Sequence, residues 1–180
     1  MKKNIIITIF ISAIMILSVL GFSIGSFTSQ NKIKYQGKTF LQSDQGWITY
    51  INDKQLILIN NPNEISNITI PVALQELNSA TKIYISLDTE NSLDNAYSLF
   101  QQDIIPLLTP QIVISCIKDS EKCADMPLKT CQNATLSNKI IQIQYSQQPS
   151  LSYKNNCLLM QGTQDNLIKQ IEALTLSYIQ

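Results

Sequence analysis

The sequence predicts an α+β (or mixed α/β) domain exported behind one N-terminal transmembrane helix. Three patterns carry that prediction. Residues 5–27 form an uncharged apolar run of 23 residues. From residue 34 onward, short β-branched segments alternate with turn residues. Two stretches, 92–105 and 164–178, place apolar residues at helical spacing.

The first element is the apolar run. Lys2 and Lys3 precede it. At about 1.5 Å per residue, a helix of that length covers about 35 Å. A hydrocarbon core is roughly 30 Å thick, so the run is long enough to span it. The two lysines orient the N-terminus toward the cytoplasm. A cleaved signal peptide is the competing reading, with Ser23 and Gly25 as the small residues near a cut site. The run exceeds the usual signal core, which favours an uncleaved signal anchor. Cleavage would leave the rest secreted. Either way, 28–180 is exported. The expected division is 1–27 anchor, 28–33 polar stem and 34–180 a single domain.

Within the domain, 34–42 and 47–51 are expected as strands joined by Ser43-Asp44-Gln45-Gly46, and 55–60 closes a three-stranded meander. Residues 71–80 begin with Pro71 and form a short helix. Segment 82–87 is a strand. Leu93, Ala96, Tyr97, Phe100 and Ile104 give 92–105 one apolar helical face, ended by Pro106. Segments 111–117, 139–145 and 158–161 are strands. Thr163 caps a closing helix whose stripe is Leu167, Ile168, Ile171, Leu174 and Tyr178. The expected order is β-β-β-α-β-α-β-β-β-α, one mixed sheet with about three helices. The strands 82–87 and 111–117 flank a helix, so they are expected to run parallel.

An N-terminal anchor is followed by Tyr35-x-Gly37-x-x-Phe40, then Gly46-Trp47, Thr130-Cys131 and Asn156-Cys157. In this arrangement the chain resembles a group of uncharacterised membrane-anchored proteins of small-genome archaea. That resemblance spans nearly the whole chain. It implies no catalytic residue, because no function belongs to the group.

Composition removes several chemistries. The chain has 13 Lys, no Arg and no His. Imidazole bases, imidazole metal ligands and His-containing triads are therefore absent. So are guanidinium clamps for phosphate. A chain with zero net charge and no Arg lacks the clustered positive charge of a nucleic-acid binder, and none is expected as a partner. The 29 Ile and 33 Asn plus Gln reflect an AT-rich codon pool and give an amide-rich surface. No phosphate-cradling Gly motif and no G-x-S-x-G occurs. No cofactor is expected and no catalytic residue is nominated.

Cys116, Cys123, Cys131 and Cys157 all follow the anchor. An even number in an exported domain reads as two disulfides. The spacing lacks CxxC, so neither a redox motif nor a cysteine zinc site is favoured. Four cysteines allow three connectivities. Cys116 ends an apolar strand with Cys123 seven residues on, which favours Cys116–Cys123. Cys131 and Cys157 then tie the long connection to a later strand.

Asp88, Glu90 and Asp94 fall between a strand end and a helix start, where ligands bind in open α/β sheets. Such a set can hold a divalent cation. The simpler expectation is that these residues serve the helix terminus, with Asn91 or Ser92 as the cap. Lys118, Asp119, Glu121, Lys122 and Asp125 read as a solvated loop. Trp47, Tyr35, Tyr50 and Phe40 read as hairpin packing before they read as a binding face. Sequons at Asn67 and Asn133 mark glycosylation acceptors on exposed segments.

The expected function is a binding or scaffolding module at the cell surface. Its expected partners are the lipid bilayer, through 5–27, and another envelope or membrane protein. The alternatives are an exported hydrolase or cation-dependent enzyme built on Asp88, Glu90 and Asp94, and an accessory subunit of a membrane complex.

Overall fold

The computed structural model describes residues 14–15, 31–51 and 54–178. Apart from Ile14 and Met15, the expected membrane segment lies outside the described residues. Among the described residues, no helix is long and apolar enough to cross a membrane.

The domain is α+β, with two sheets where one was expected. The first is a four-stranded antiparallel meander: β1 (Lys32–Tyr35), β2 (Lys38–Ser43), β3 (Gly46–Ile51) and β4 (Lys54–Leu58). The segment 34–42 is not one strand. Gln36 and Gly37 have φ of 48° and 78° and turn the chain back on itself. Two successive positive φ angles make the tight turn whose twist matches a hairpin. At Gly46 (φ 126°), a Cβ would sit 2.2 Å from the Leu58 carbonyl oxygen, so only glycine fits where β3 meets the end of β4.

Two one-turn helices come next, α1 (Pro62–Ile65) and α2 (Leu74–Asn78). The second is shorter than the expected 71–80, and the first was not expected. Asn61 caps α1 by accepting from the Asn63 N–H.

The second sheet has the order β6-β5-β7-β9-β8. Its strands are β5 (Lys82–Leu87), β6 (Gln111–Cys116), β7 (Asn138–Tyr145), β8 (Ser150–Lys154) and β9 (Cys157–Gly162). As expected, β5 and β6 pair in parallel, and β7 and β9 continue that direction. The edge strand β8 is antiparallel and was not anticipated. Asn155 and Asn156, at φ 49° and 63°, make the turn into β9. Asn tolerates this left-handed region better than most residues. Between β5 and β6 runs α3 (Asp94–Asp103), followed by a 3-10 turn, Ile105–Leu107, that contains Pro106.

The closing helix α4 (Gln164–Tyr178) lies between the sheets. Leu167, Ile168, Ile171 and Leu174 join Phe100, Ile141 and Met160 in the core over the mixed sheet. Ala173 and Leu176 join Phe40, Trp47, Leu58 and Ile65 under the meander. The expected stripe was real, and a second face of the helix is buried as well. Gln170, Glu172 and Thr175 are also buried, and their polarity hides the second face from a hydrophobic pattern.

Glu172 is fully buried at this junction. Its carboxylate accepts from the Ile59 N–H, from the Asn60 N–H at 3.3 Å and from Asn60 Nδ2 at 2.7 Å. Burial raises its pKa, Asp103 nearby pushes the same way, and the Asn60 and Ile59 hydrogen bonds oppose the rise. Asp103 itself has a buried Oδ2 with no partner. Burial pushes its pKa up to about 6.

A carboxyl group with a raised folded pKa favours folding while protonated. That contribution is complete below the unfolded pKa of 3.8 and is lost as pH climbs through about 6. Asp103→Asn is therefore expected to stabilise the protein at pH 7. Without screening, two pKa units convert to roughly 3 kcal/mol. Asp103 is only half-buried, so about 1 kcal/mol is expected after screening. Urea unfolding at pH 4 and pH 7 checks this: the variant should lose the Asp103 share of the wild type's decline between those values.

Candidate functional site

The parallel strands β5, β6 and β7 bring three loops together at their C-terminal ends. A shallow depression of about 160 Å³ opens there, lined by Asp88, Thr89, Glu90, Lys118, Gln144 and Tyr145 among others. This is the end of an open sheet at which ligands generally bind.

The chemistry inside it is largely self-satisfied. Asp88 Oδ2 accepts from Asn91 Nδ2 at 2.9 Å and from the Tyr145 N–H at 3.2 Å. Its Oδ1 accepts from the Glu90 N–H at 3.3 Å. Tyr97 donates its hydroxyl to the Asp88 carbonyl at 2.7 Å. Asp88 therefore organises the loop between β5 and α3. Glu90 pairs instead with Lys118 at 2.8 Å in full solvent, and the hydrogen bond and charge of Glu90 raise the Lys118 pKa. Such an exposed pair contributes little to stability.

Asp94 is exposed and opens α3, where its charge complements the helix dipole. The helix is not capped by Asn91 or Ser92. Leu93 occupies the cap position and makes no side-chain hydrogen bond. Asp88, Glu90 and Asp94 thus serve three different partners. Among the described residues, no group of three His, Cys, Asp or Glu side chains is placed to hold a metal ion. Calcium or magnesium is accordingly expected to leave the melting temperature unmoved. A metal-dependent rise lost in Asp94→Ala would restore the cation-dependent reading.

The structure contains one Ser–Lys contact that the sequence did not mark. Lys139 is 1% exposed, and its ammonium donates to Ser79 Oγ at 2.8 Å. A serine beside a lysine is a nucleophile–base geometry only if the amine has a free lone pair. Here the ammonium also donates to the Glu76 carbonyl and the Glu76 carboxylate. Three protons meet three acceptors. The Lys139 hydrogen bond and charge, together with Tyr153, hold the Glu76 carboxyl below its ordinary range. Ser79 in turn donates to the Glu76 carbonyl at 2.8 Å. The cluster is a cation closing the C-terminal end of α2.

The four cysteines pair as Cys116–Cys123 and Cys131–Cys157, with Cα–Cα distances of 6.1 and 5.3 Å. Both bridges act on the connection between β6 and β7. Residues 127–129 of this connection pair along the outer edge of β6, and Lys129 and Cys131 reach the face of the mixed sheet opposite α3 and α4. That face carries Tyr84, Ser86, Ser115 and Gln142, matched in register across three strands. Ser86 and Ser115 hydrogen-bond at 2.9 Å, and Gln142 accepts the Cys131 N–H at 2.9 Å. The Lys129 ammonium stands 5.2 Å from the Tyr84 ring centroid, a cation–π contact. Leu128 bridges to Cys116 in parallel. The tied connection turns Met126, Leu128 and Leu136 outward, Leu136 at 78% exposure.

The remaining sequence candidates disperse. Phe40 and Trp47 are buried under the meander and Tyr35 packs beside them, whereas Tyr50 points to the other side. Lys118, Asp119, Glu121, Lys122 and Asp125 are exposed, and so are Asn67 and Asn133. Asn133 also accepts the Thr130 N–H at 2.9 Å.

The site and fold define a disulfide-tied α+β domain with helices on one face of a mixed sheet and a pinned connection reaching the other. No family model, curated protein or solved structure matches the chain.

Proposed function

We propose that the protein is a membrane-anchored extracytoplasmic binding or scaffolding module. Its binding surface is the tied connection between β6 and β7. The observation that carries this reading is the pair of bridges on one segment. They tie down the segment that carries exposed Met126, Leu128 and Leu136, with Leu128 held along the edge of β6. Apolar side chains held rigidly in water suit recognition, because little ordering entropy remains to be lost on binding. Disulfides also belong to oxidising compartments, which agrees with export behind residues 5–27. A surface domain of this kind fits the membrane-anchored archaeal group that the motifs resemble.

Two measurements test it. Protease added to intact cells should digest the domain, and protection without permeabilisation would overturn the topology. Cross-linking in the native membrane should recover a specific partner from the wild type but not from Leu128→Asp with Leu136→Asp. Equal recovery from both would remove this surface from the function.

A further inference from the structure

We infer that the outer face of the meander lies against the headgroups of an anionic lipid bilayer. This rests on the anchoring reading above.

Antiparallel partners share a sheet face. The pairing Lys32↔Leu41, Leu41↔Ile48 and Ile48↔Ile57 therefore sets one basic and three aliphatic side chains in a row across four strands. The neighbouring pairs Lys34↔Thr39 and Tyr50↔Gln55 belong to the same face. Leu41, Ile48 and Ile57 enter neither core, although the inner face of the same strands is filled by Phe40, Trp47 and Leu58. Tyr50 is 66% exposed, and Ile59, just after β4, is 59% exposed. Among the described residues of the four strands, this face carries no acidic side chain.

Two features assign the occupant. The first is reach. Four residues, 28–31, separate the apolar run from β1. Fully extended, they span at most about 14 Å. An anchored chain thus holds β1 and its neighbours within reach of the headgroups. The second is charge. The outer face carries Lys32 and Lys34, Lys38 lies on the inner side with Phe40, and the one acid of residues 28–51, Asp44, sits in the turn between β2 and β3. Lysines beside an anionic surface are attracted within a Debye length, and tyrosine favours the interface. An apolar row bearing an exposed tyrosine, flanked by lysines and free of acids, matches that boundary. The pinned connection on the mixed sheet remains available for a partner.

The full-length chain is reconstituted into phosphatidylcholine vesicles with and without phosphatidylglycerol, the acyl chains brominated. Tyr50→Trp adds one indole on the outer face, and the buried Trp47 serves as the internal reference. Most of the added emission should be quenched in anionic vesicles at low salt. Quenching should be lost in neutral vesicles and in Lys32→Glu with Lys34→Glu. If Tyr50→Trp melts early, hydrogen exchange over 32–43 in the parent replaces it. Exchange slowed only by anionic lipid supports the inference, and equal exchange in both lipids overturns it. A chain that survives alkaline carbonate extraction but shows no quenching overturns the inference and leaves the anchor standing. A chain removed by carbonate fails the anchor reading, and this inference with it. Cross-links joining the outer faces of two copies would assign the face to self-association and overturn it as well.

Discussion

Replacing Cys131 and Cys157 together by serine is expected to destabilise the domain by roughly 3.5 kcal/mol, taking the loop-closure entropy for their separation of 26 residues. The same relation gives about 2.4 kcal/mol for the seven-residue Cys116–Cys123 loop. The longer bridge should therefore dominate. Its loss would act on two anchor points. Cys157 opens β9 inside the parallel sheet, and Cys131 is otherwise held by the Gln142 side chain. Without the bridge, the Gln142 hydrogen bond and the Lys129 N–H bond to the Cys116 carbonyl remain to hold this end of the connection. Urea unfolding under oxidising and reducing conditions measures the effect. Equal stability in both would show that the connection is held by packing alone. Non-reducing peptide mapping checks the pairing: a Cys116–Cys157 link would contradict the geometry.

Glu172→Ala is expected to cost about 3 kcal/mol, because it leaves the Ile59 and Asn60 N–H groups without their acceptor in the interior. For a domain of this size that lowers the melting temperature by roughly 10 °C. Glu172→Gln should cost under about 1 kcal/mol, since the amide oxygen still accepts. The two variants separate hydrogen bonding from charge. The Glu172 pKa is raised, so its protonated form favours folding. Its contribution is complete below the ordinary value of 4.5 and declines as pH rises from there through the raised value. Glu172→Gln lacks that decline. A Gln variant as unstable as the Ala variant would show that the negative charge itself holds the junction.

Much of the mixed sheet was legible because its signals were local and redundant. A helical stripe separates the strands 82–87 and 111–117, so parallel pairing was the natural expectation. What escaped depended on conformations or partners distant in sequence. Gln36-Gly37 lacks the Asn or Asp that announces a two-residue hairpin, and the strand expected across it was continuous. Asn155-Asn156 carries such residues, yet β8 before it alternates Ser, Leu, Ser and Tyr and reads as loop. The second buried face of α4 was hidden because Glu172 finds its partners at Ile59 and Asn60, more than a hundred positions earlier. The acidic cluster was legible as a set of residues but not as a site. Asp88, Glu90 and Asp94 are close in sequence, and the loop directs them to Asn91, Lys118 and solvent.

The position of α4 between the sheets has a consequence for biogenesis. A chain synthesised from its N-terminus presents the meander first and the five-stranded sheet next. Each has only part of its inner side covered, by α3 and by Ile65, until 164–178 arrives. Hairpins can close early, but durable burial is deferred to one late helix, so completion is a single concerted event. A premature stop just before residue 164 would leave every strand present and both cores open. Such a product would be marked by chaperones and proteases as unfinished, although most of its sequence is correct.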